Sequence, residues 1–176
     1  MPYNHLALAT KDLAGTHRFY TEVMGFTLAK VVAAPTPEHR GWARHVFYDC
    51  GGGQYIAFWD LHDDTISDYR TDIAESVGLP QWVNHLAWDA GDEAGYQAHL
   101  ERWRACGITV AEVDHGFCKS IYTVDPNGVM VEFCLMTREL GADDAAEAER
   151  LLAADRPELE DAPPVVIHEP ITAVRA

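Results

Sequence analysis

Residues 3–7, Tyr-Asn-His-Leu-Ala, return 80 positions later as Val83-Asn84-His85-Leu86-Ala87. A second match follows at an offset of 75, where Gly53-Gln-Tyr-Ile-Ala57-Phe58 aligns with Gly128-Val-Met-Val-Glu132-Phe133. The five-residue difference falls in the longer connection between the second and third strands of the first half. A repeat of this length cannot bury its own sheet face, so it must pair with a second copy.

Periodicity gives the content of each repeat. Residues 3–9 read as a strand, and 11–24 as a helix with Leu13, Phe19, Tyr20 and Val23 on one face, stopped by Gly25. Strands follow at 26–34, 42–50 and 54–60, separated by turn residues. The same β-α-β-β-β order returns with a strand at 83–90, a helix at 92–106 stopped by Gly107, and strands at 108–114, 117–124 and 128–134. Residues 1–60 form the first module, 61–81 a connector with a short helix near 68–77, and 82–136 the second module. Beyond these, 137–176 hold an acidic helix over 142–155 and an extended tail with four prolines in its last twenty residues. The expected fold is α+β: two paired βαβββ modules forming a curved mixed sheet around a cavity, plus a C-terminal helix and tail.

The formal net charge of -15 argues against nucleic acid and anionic membranes as partners. About half of that charge sits in 139–161, where nine acidic residues face two arginines, so it describes an appendage more than a pocket. No run of 18 apolar residues is present, and the N-terminus lacks the basic and apolar regions of a secretion signal. The four cysteines are scattered and form no CxxC pair. A cytoplasmic setting is expected.

The second half carries the chemistry. Asp114 to Cys134 reads as two strands joined by Asp125-Pro-Asn-Gly128. Strand alternation puts Val129, Val131 and Phe133 on one face, and Met130, Glu132 and Cys134 on the other. A carboxylate in such an apolar run requires a partner or a metal. His5 and His85, at matched positions of the repeat, are the candidates.

With these residues in hand, the chain resembles the vicinal oxygen chelate superfamily, which includes glyoxalase I, type I extradiol dioxygenases, fosfomycin-resistance proteins and bleomycin-binding proteins. The resemblance covers roughly residues 2–136. It rests on the paired modules, the histidine on the first strand of each, and Tyr122-x-x-Asp-Pro-Asn-Gly-x-x-x-Glu132. It implies metal ligands at the first and last strands of the modules, at His5, Ala57, His85 and Glu132. Ala57 cannot coordinate, which disfavours a glyoxalase. The remaining His5, His85 and Glu132 match the two-histidine, one-carboxylate set of non-haem Fe(II) oxygenases. The bare set also fits Mn(II), Co(II) or Zn(II).

The same resemblance gives Tyr122 and His115 catalytic roles. Tyr122 would hydrogen-bond the substrate oxygens, and His115 would act as acid/base or orient substrate. An exposed turn histidine is the bland reading of His115, and a core tyrosine that of Tyr122. His45 has uncertain parity because of the Gly51-Gly52-Gly53 turn, and His99 reads as a surface helix residue. Alternation points Tyr3, Tyr55 and Trp59 to the metal side, with Phe117 at the rim, as walls for a flat small-molecule substrate. Cys118 and Cys134 read as packing residues. An extradiol dioxygenase acting on a catechol-like substrate is the favoured activity, and a homodimer the expected assembly. Two alternatives stand beside it: other metal-dependent chemistry of the superfamily, and a metal-free binding protein.

Overall fold

The computed structural model describes residues 3–171, so the last five residues of the expected tail lie outside the described residues. Among these residues there are nine strands and three α-helices, of which the first eight strands and two helices follow the order that the repeat dictates. The first module runs β1 (His5–Thr10), α1 (Leu13–Arg18), β2 (Thr27–Pro35), β3 (Gly41–Gly51) and β4 (Gln54–Asp63). The second runs β5 (His85–Asp89), α2 (Glu93–Ala105), β6 (Val110–Asp114), β7 (Cys118–Val124) and β8 (Met130–Met136). Then come α3 (Ala142–Ala153) and a short strand, β9 (Val165–His168). The connector holds one 3-10 turn at Glu75–Val77, shorter than the helix expected there.

The four strands of each module take the same order in their sheets. One sheet is β1-β4-β3-β2 and the other β5-β8-β7-β6-β9, so in each module the last strand lies beside the first. By chain contacts the molecule falls into two compact units. One is Met1–Leu86 with Thr123–Val131, the other Ala87–Tyr122 with Glu132–Ala176.

The repeat extends to the helix starts. Asp12 caps α1 by accepting from the amide of Gly15, and Asp92 caps α2 by accepting from the amide of Gly95, both at 2.8 Å. Each carboxylate satisfies an orphan amide of the first turn. A side chain at either glycine would collide: a Cβ at Gly15 would lie 2.1 Å from an oxygen of its cap Asp12, and one at Gly95 would lie 2.3 Å from the Ala90 carbonyl. α1 is continued by a π-helical turn over Phe19–Val23. That turn sets Tyr20, fully buried, against Phe58 at 4.7 Å and Tyr48 at 5.8 Å. In the second unit α2 buries Tyr96, Leu100 and Trp103. Its His99 lies flat on Phe133, with ring centroids 3.6 Å apart. His99 is therefore a packing residue of the helix–sheet interface.

The first unit has a polar centre. Asp125, 4% exposed, accepts from the amides of Asn127 and Val129 through Oδ1 and from Tyr20 and Asn127 side chains through Oδ2. Asn127 in turn donates to Thr16, which bonds Thr10. Thr71 donates to the Asn127 carbonyl. The Asp-Pro-Asn-Gly turn is thus tied to α1, β1 and the connector at once.

The tail does more than extend. β9 adds antiparallel to the edge of β6, pairing Val110 with His168 and Val113 with Val165. His168 meets Glu112 at 2.5 Å, and Glu112 also accepts from Tyr96. The Ile171 amide donates to the Arg104 carbonyl. An uncovered edge strand leaves amides and carbonyls unpaired, and the Val-Val-Ile run between prolines supplies the cover. α3 buries no residue, in keeping with the solvated appendage its composition predicts.

Asp125→Ala strands four donors in a buried site and should cost about 3 kcal/mol or more. Tyr20→Phe removes one donor and should cost about 1 kcal/mol. Urea denaturation measures both, and equal costs would contradict the hub role of Asp125. Burial first, and the Arg102 guanidinium second, push the His99 imidazole down to about 4. The unfolded chain therefore takes up this proton at higher pH than the folded one. The stability from neutral His99 is complete above about 6.5 and is lost as pH falls toward about 4. His99→Leu should flatten the urea midpoint across that window.

Candidate metal and substrate site

Register sets which residues share a face of the first sheet. β1 pairs in parallel with β4, His5 opposite Tyr55 and Ala7 opposite Ala57. β3 runs antiparallel to β4, with Phe47 opposite Ala57 and His45 opposite Trp59. Cross-strand partners share a face, so His5, Tyr55, Ala57, Trp59, Phe47 and His45 lie on one side. Ring contacts agree. The His5 ring lies 5.5 Å from Phe47 and 6.0 Å from His45, and His45 stacks on Trp59 at 3.8 Å.

The parity of His45 is thereby fixed. The glycine turn absorbs its extra residue in an irregularity between Asp49 and Gly51, leaving the register of the rest of β3 undisturbed. The His45 Nε2 is buried without a hydrogen-bond partner. Burial, and then the nearby His5, lower its imidazole pKa. Of the expected aromatic walls, Tyr55 and Trp59 are on this face. Tyr3 precedes β1 and is 47% exposed.

The two repeated histidines use their rings alike but not their neighbours. His5 Nδ1 donates to the Asn4 side-chain oxygen at 2.8 Å. His85 Nδ1 donates to the Trp82 carbonyl at 3.0 Å, while Asn84 donates instead to the Ile73 carbonyl. An acceptor oxygen at Nδ1 places the proton there and leaves the lone pair of the neutral ring on Nε2. This is the arrangement in which an imidazole is ready to ligate. Both rings are exposed.

In the second unit Glu132 is 5% exposed on β8. Its Oε1 accepts from the Tyr122 hydroxyl at 3.2 Å, and that hydroxyl lies 3.1 Å from His115 Nε2. Tyr122 spends its single proton on Glu132, so the imidazole donates through Nε2. Burial, reinforced by Glu132, pushes the Tyr122 phenol up to about 12. It stays protonated at any physiological pH. Phe117 sits beside His115, with ring centroids 6.3 Å apart. Cys118 and Cys134 are free thiols. Burial, and then its contact with Cys134, raise Cys118 to about 11, which makes it an inert packing residue.

The donor chemistry of His5, His85 and Glu132 fits a divalent cation: two imidazoles with Nδ1 already committed, and one buried carboxylate. Among the described residues, no group of three or more His, Cys, Asp or Glu side chains is gathered so that it could hold a metal ion. A separate cleft of about 320 Å³ near Asp60 and His62 is a poorer candidate, because Arg44 and His62 already engage the Asp60 carboxylate.

The family model described as Glyoxalase/Bleomycin resistance protein/Dioxygenase superfamily matches residues 3–133. The chain belongs to this superfamily. Solved structures with the same fold include a lactoylglutathione lyase from Agrobacterium tumefaciens. It is 24% identical, with a TM-score of 0.52, covering 76% of this chain and 92% of that one. A fosfomycin resistance protein, FosX, from Listeria monocytogenes is 19% identical with a TM-score of 0.51, covering 78% and 94%. A glyoxylase/bleomycin resistance protein/dioxygenase domain from Frankia sp. EAN1pec is 17% identical with a TM-score of 0.54, covering 77% and 98%. At these identities the likeness is one of fold. A search of curated proteins gave no match. No helix among the described residues is long and apolar enough to cross a membrane.

Within the superfamily frame, sequence reasoning named Tyr122, His115 and Glu132 one by one, and the fold joins them in a single hydrogen-bonded chain. It passed over Lys30, which lines a cleft of about 290 Å³ with Asn4, Ala29, Phe47 and Tyr55. Nothing in the local sequence marks that lysine, because its face depends on a strand irregularity. The Nε2 lone pairs can be checked by nitrogen-15 spectroscopy of the imidazoles. His5 and His85 should both show the Nδ1-protonated form near pH 8, and His115 the Nε2-protonated form.

Proposed function

We propose that this protein is a metal-dependent enzyme of the superfamily, binding a divalent cation through His5, His85 and Glu132. Its favoured activity is extradiol-type ring cleavage of a small catechol-like substrate, with Fe(II) as the metal. The observation that carries this reading is the chain His115–Tyr122–Glu132, which sets a protonated phenol and an imidazole beside the buried carboxylate. A divalent cation, when bound, supplies a centre that holds two vicinal substrate oxygens and increases their acidity. A Listeria monocytogenes FosX variant of the same fold has been solved with Mn(II) and a dihydroxypropylphosphonic acid. That complex supports a divalent metal here without choosing which one.

The chain's own residues then have distinct tasks. Tyr122, whose one proton Glu132 accepts in the free protein, would turn that donor to a substrate oxygen as negative charge develops there; burial, which pushes its phenol up to about 12, keeps the proton on it. His115, in reach of the Tyr122 hydroxyl, takes or returns a proton as acid/base. Trp59 and Tyr55 offer flat apolar walls on the His5 face. Phe117 does the same beside His115. We read the assembly as a homodimer with a small-molecule substrate.

Metal content decides the first step. Protein loaded anaerobically with Fe(II) and dialysed should hold near one equivalent per chain, and Glu132→Ala or His85→Ala little. Equal retention in wild type and Glu132→Ala would overturn the ligand assignment. No metal in either would favour a metal-free binding protein. Tyr122→Phe should keep the metal and slow catechol-dependent oxygen uptake by about 100-fold. An unchanged rate would remove Tyr122 from the chemistry.

A further inference from the structure

β2 is not a regular strand. Leu28 pairs with Tyr48, but the next residue in register, opposite Phe47, is Lys30, so the ladder slips by one between them. Tyr48 is buried on the core face, and Phe47 lies on the face of His5. In an unbroken strand the pair after Leu28–Tyr48 would be Ala29–Phe47, which would turn Lys30 toward the core face. The bulge inserts Ala29 as an extra residue and re-aims Lys30 onto the His5 face.

There Lys30 lines the cleft with Asn4, Phe47 and Tyr55. Asn4 is the residue that holds His5 Nδ1, and Phe47 is in ring contact with His5. An ordinary lysine on an exposed strand is a solvated charge or half of a surface ion pair. Lys30 enters no salt bridge among the described residues. Asp49, the carboxylate on that face of β3, is turned to the Gly51 amide at the hairpin. In a chain of net charge -15 this is an unneutralised cation, aimed by a backbone irregularity into a cleft beside a candidate ligand.

We infer that the Asn4–Lys30–Phe47–Tyr55 cleft is a subsite for an anionic group of the substrate, a carboxylate or a phosphonate. The Lys30 ammonium supplies the charge. The Asn4 and Tyr55 side chains supply polar edges, and Phe47 supplies a flat apolar wall. The subsite rests on the metal-dependent reading above and narrows it: the substrate carries its vicinal oxygens and an anion on one small, flat skeleton. Lys30 touches the substrate through that anion and has no part in bond making. It is a specificity residue.

The test uses full-length Mn(II)-loaded protein and three probes: catechol, 3,4-dihydroxybenzoate and 3,4-dihydroxyphenylphosphonate. Calorimetry gives a Kd for each on wild type, Lys30→Met and Lys30→Arg. Wild type should bind at least one anionic probe on the order of 10-fold tighter than catechol, and the tighter of the two identifies the anion. Lys30→Met should erase this preference and leave the catechol Kd unchanged, whereas Lys30→Arg should keep most of it. The preference should also shrink as salt is raised. Equal binding of all three probes by wild type would overturn the subsite, as would a Lys30→Met variant that loses catechol and the anions alike. The same titrations on metal-free protein separate the two readings. Metal-dependent catechol binding without an anion preference removes the subsite and leaves the metal centre. Lys30-dependent anion binding that ignores the metal removes the metal centre and leaves the subsite.

Discussion

Asp125 is the residue on which the arrangement turns. A carboxylate with 4% exposure is stable only where its oxygens are filled with donors, and here two backbone amides, a phenol and an amide side chain fill them. Burial raises its carboxyl pKa, and these hydrogen bonds oppose the shift. The amides it holds, of Asn127 and Val129, are those of the turn that starts β8. The phenol it holds, Tyr20, is the buried centre of the π-helical turn against β3 and β4. One side chain therefore fixes both the hairpin turn and the helix of the first module. The register of the hairpin sets which residues of β7 and β8 meet, and Tyr122 meets Glu132.

The site residues are supported by similar economies. An oxygen acceptor at Nδ1 of His5 and of His85 makes each imidazole present Nε2, although different residues supply that oxygen. The repeated Asn-His pair is conserved between the modules in sequence but not in use. In the first module Asn4 orients the histidine, and in the second Asn84 ties the connector. Glu132 is prepared differently, by burial and by a phenol that burial keeps protonated. The first unit thus presents the exposed His5 imidazole on an aromatic sheet face. The second presents a buried carboxylate with a proton-bearing pair beside it.

Much of this was legible. The offset of 80 residues gave two modules, and the four strands of each take the same order in their sheets, because the hydrophobic periods of the two halves agree. Asp12-x-x-Gly15 and Asp92-x-x-Gly95 belong to the same repeat. They are readable as caps once the helices are placed. Glu132 stood out because a lone carboxylate in an apolar strand needs a reason. The sequence of the tail shows only its extended character. Its Val-Val-Ile run finds a partner only because the edge of β6 is open. His99 reads as a surface residue because it is a polar side chain on a helix. Its stacking on Phe133 depends on how closely helix and sheet approach.

The sequence by itself determined the fold class and the order of strands and helices within each repeat, since these follow from local period and repeat. Tertiary structure decided which side chains share a face where the strands are irregular. The hairpin irregularity at Asp49 left His45 on the His5 side, and the bulge at Ala29 turned Lys30 to join it. Side chains alternate with a period of two, so one inserted residue reverses the face of everything beyond it. Only the pairing of the strands tells where that residue is absorbed.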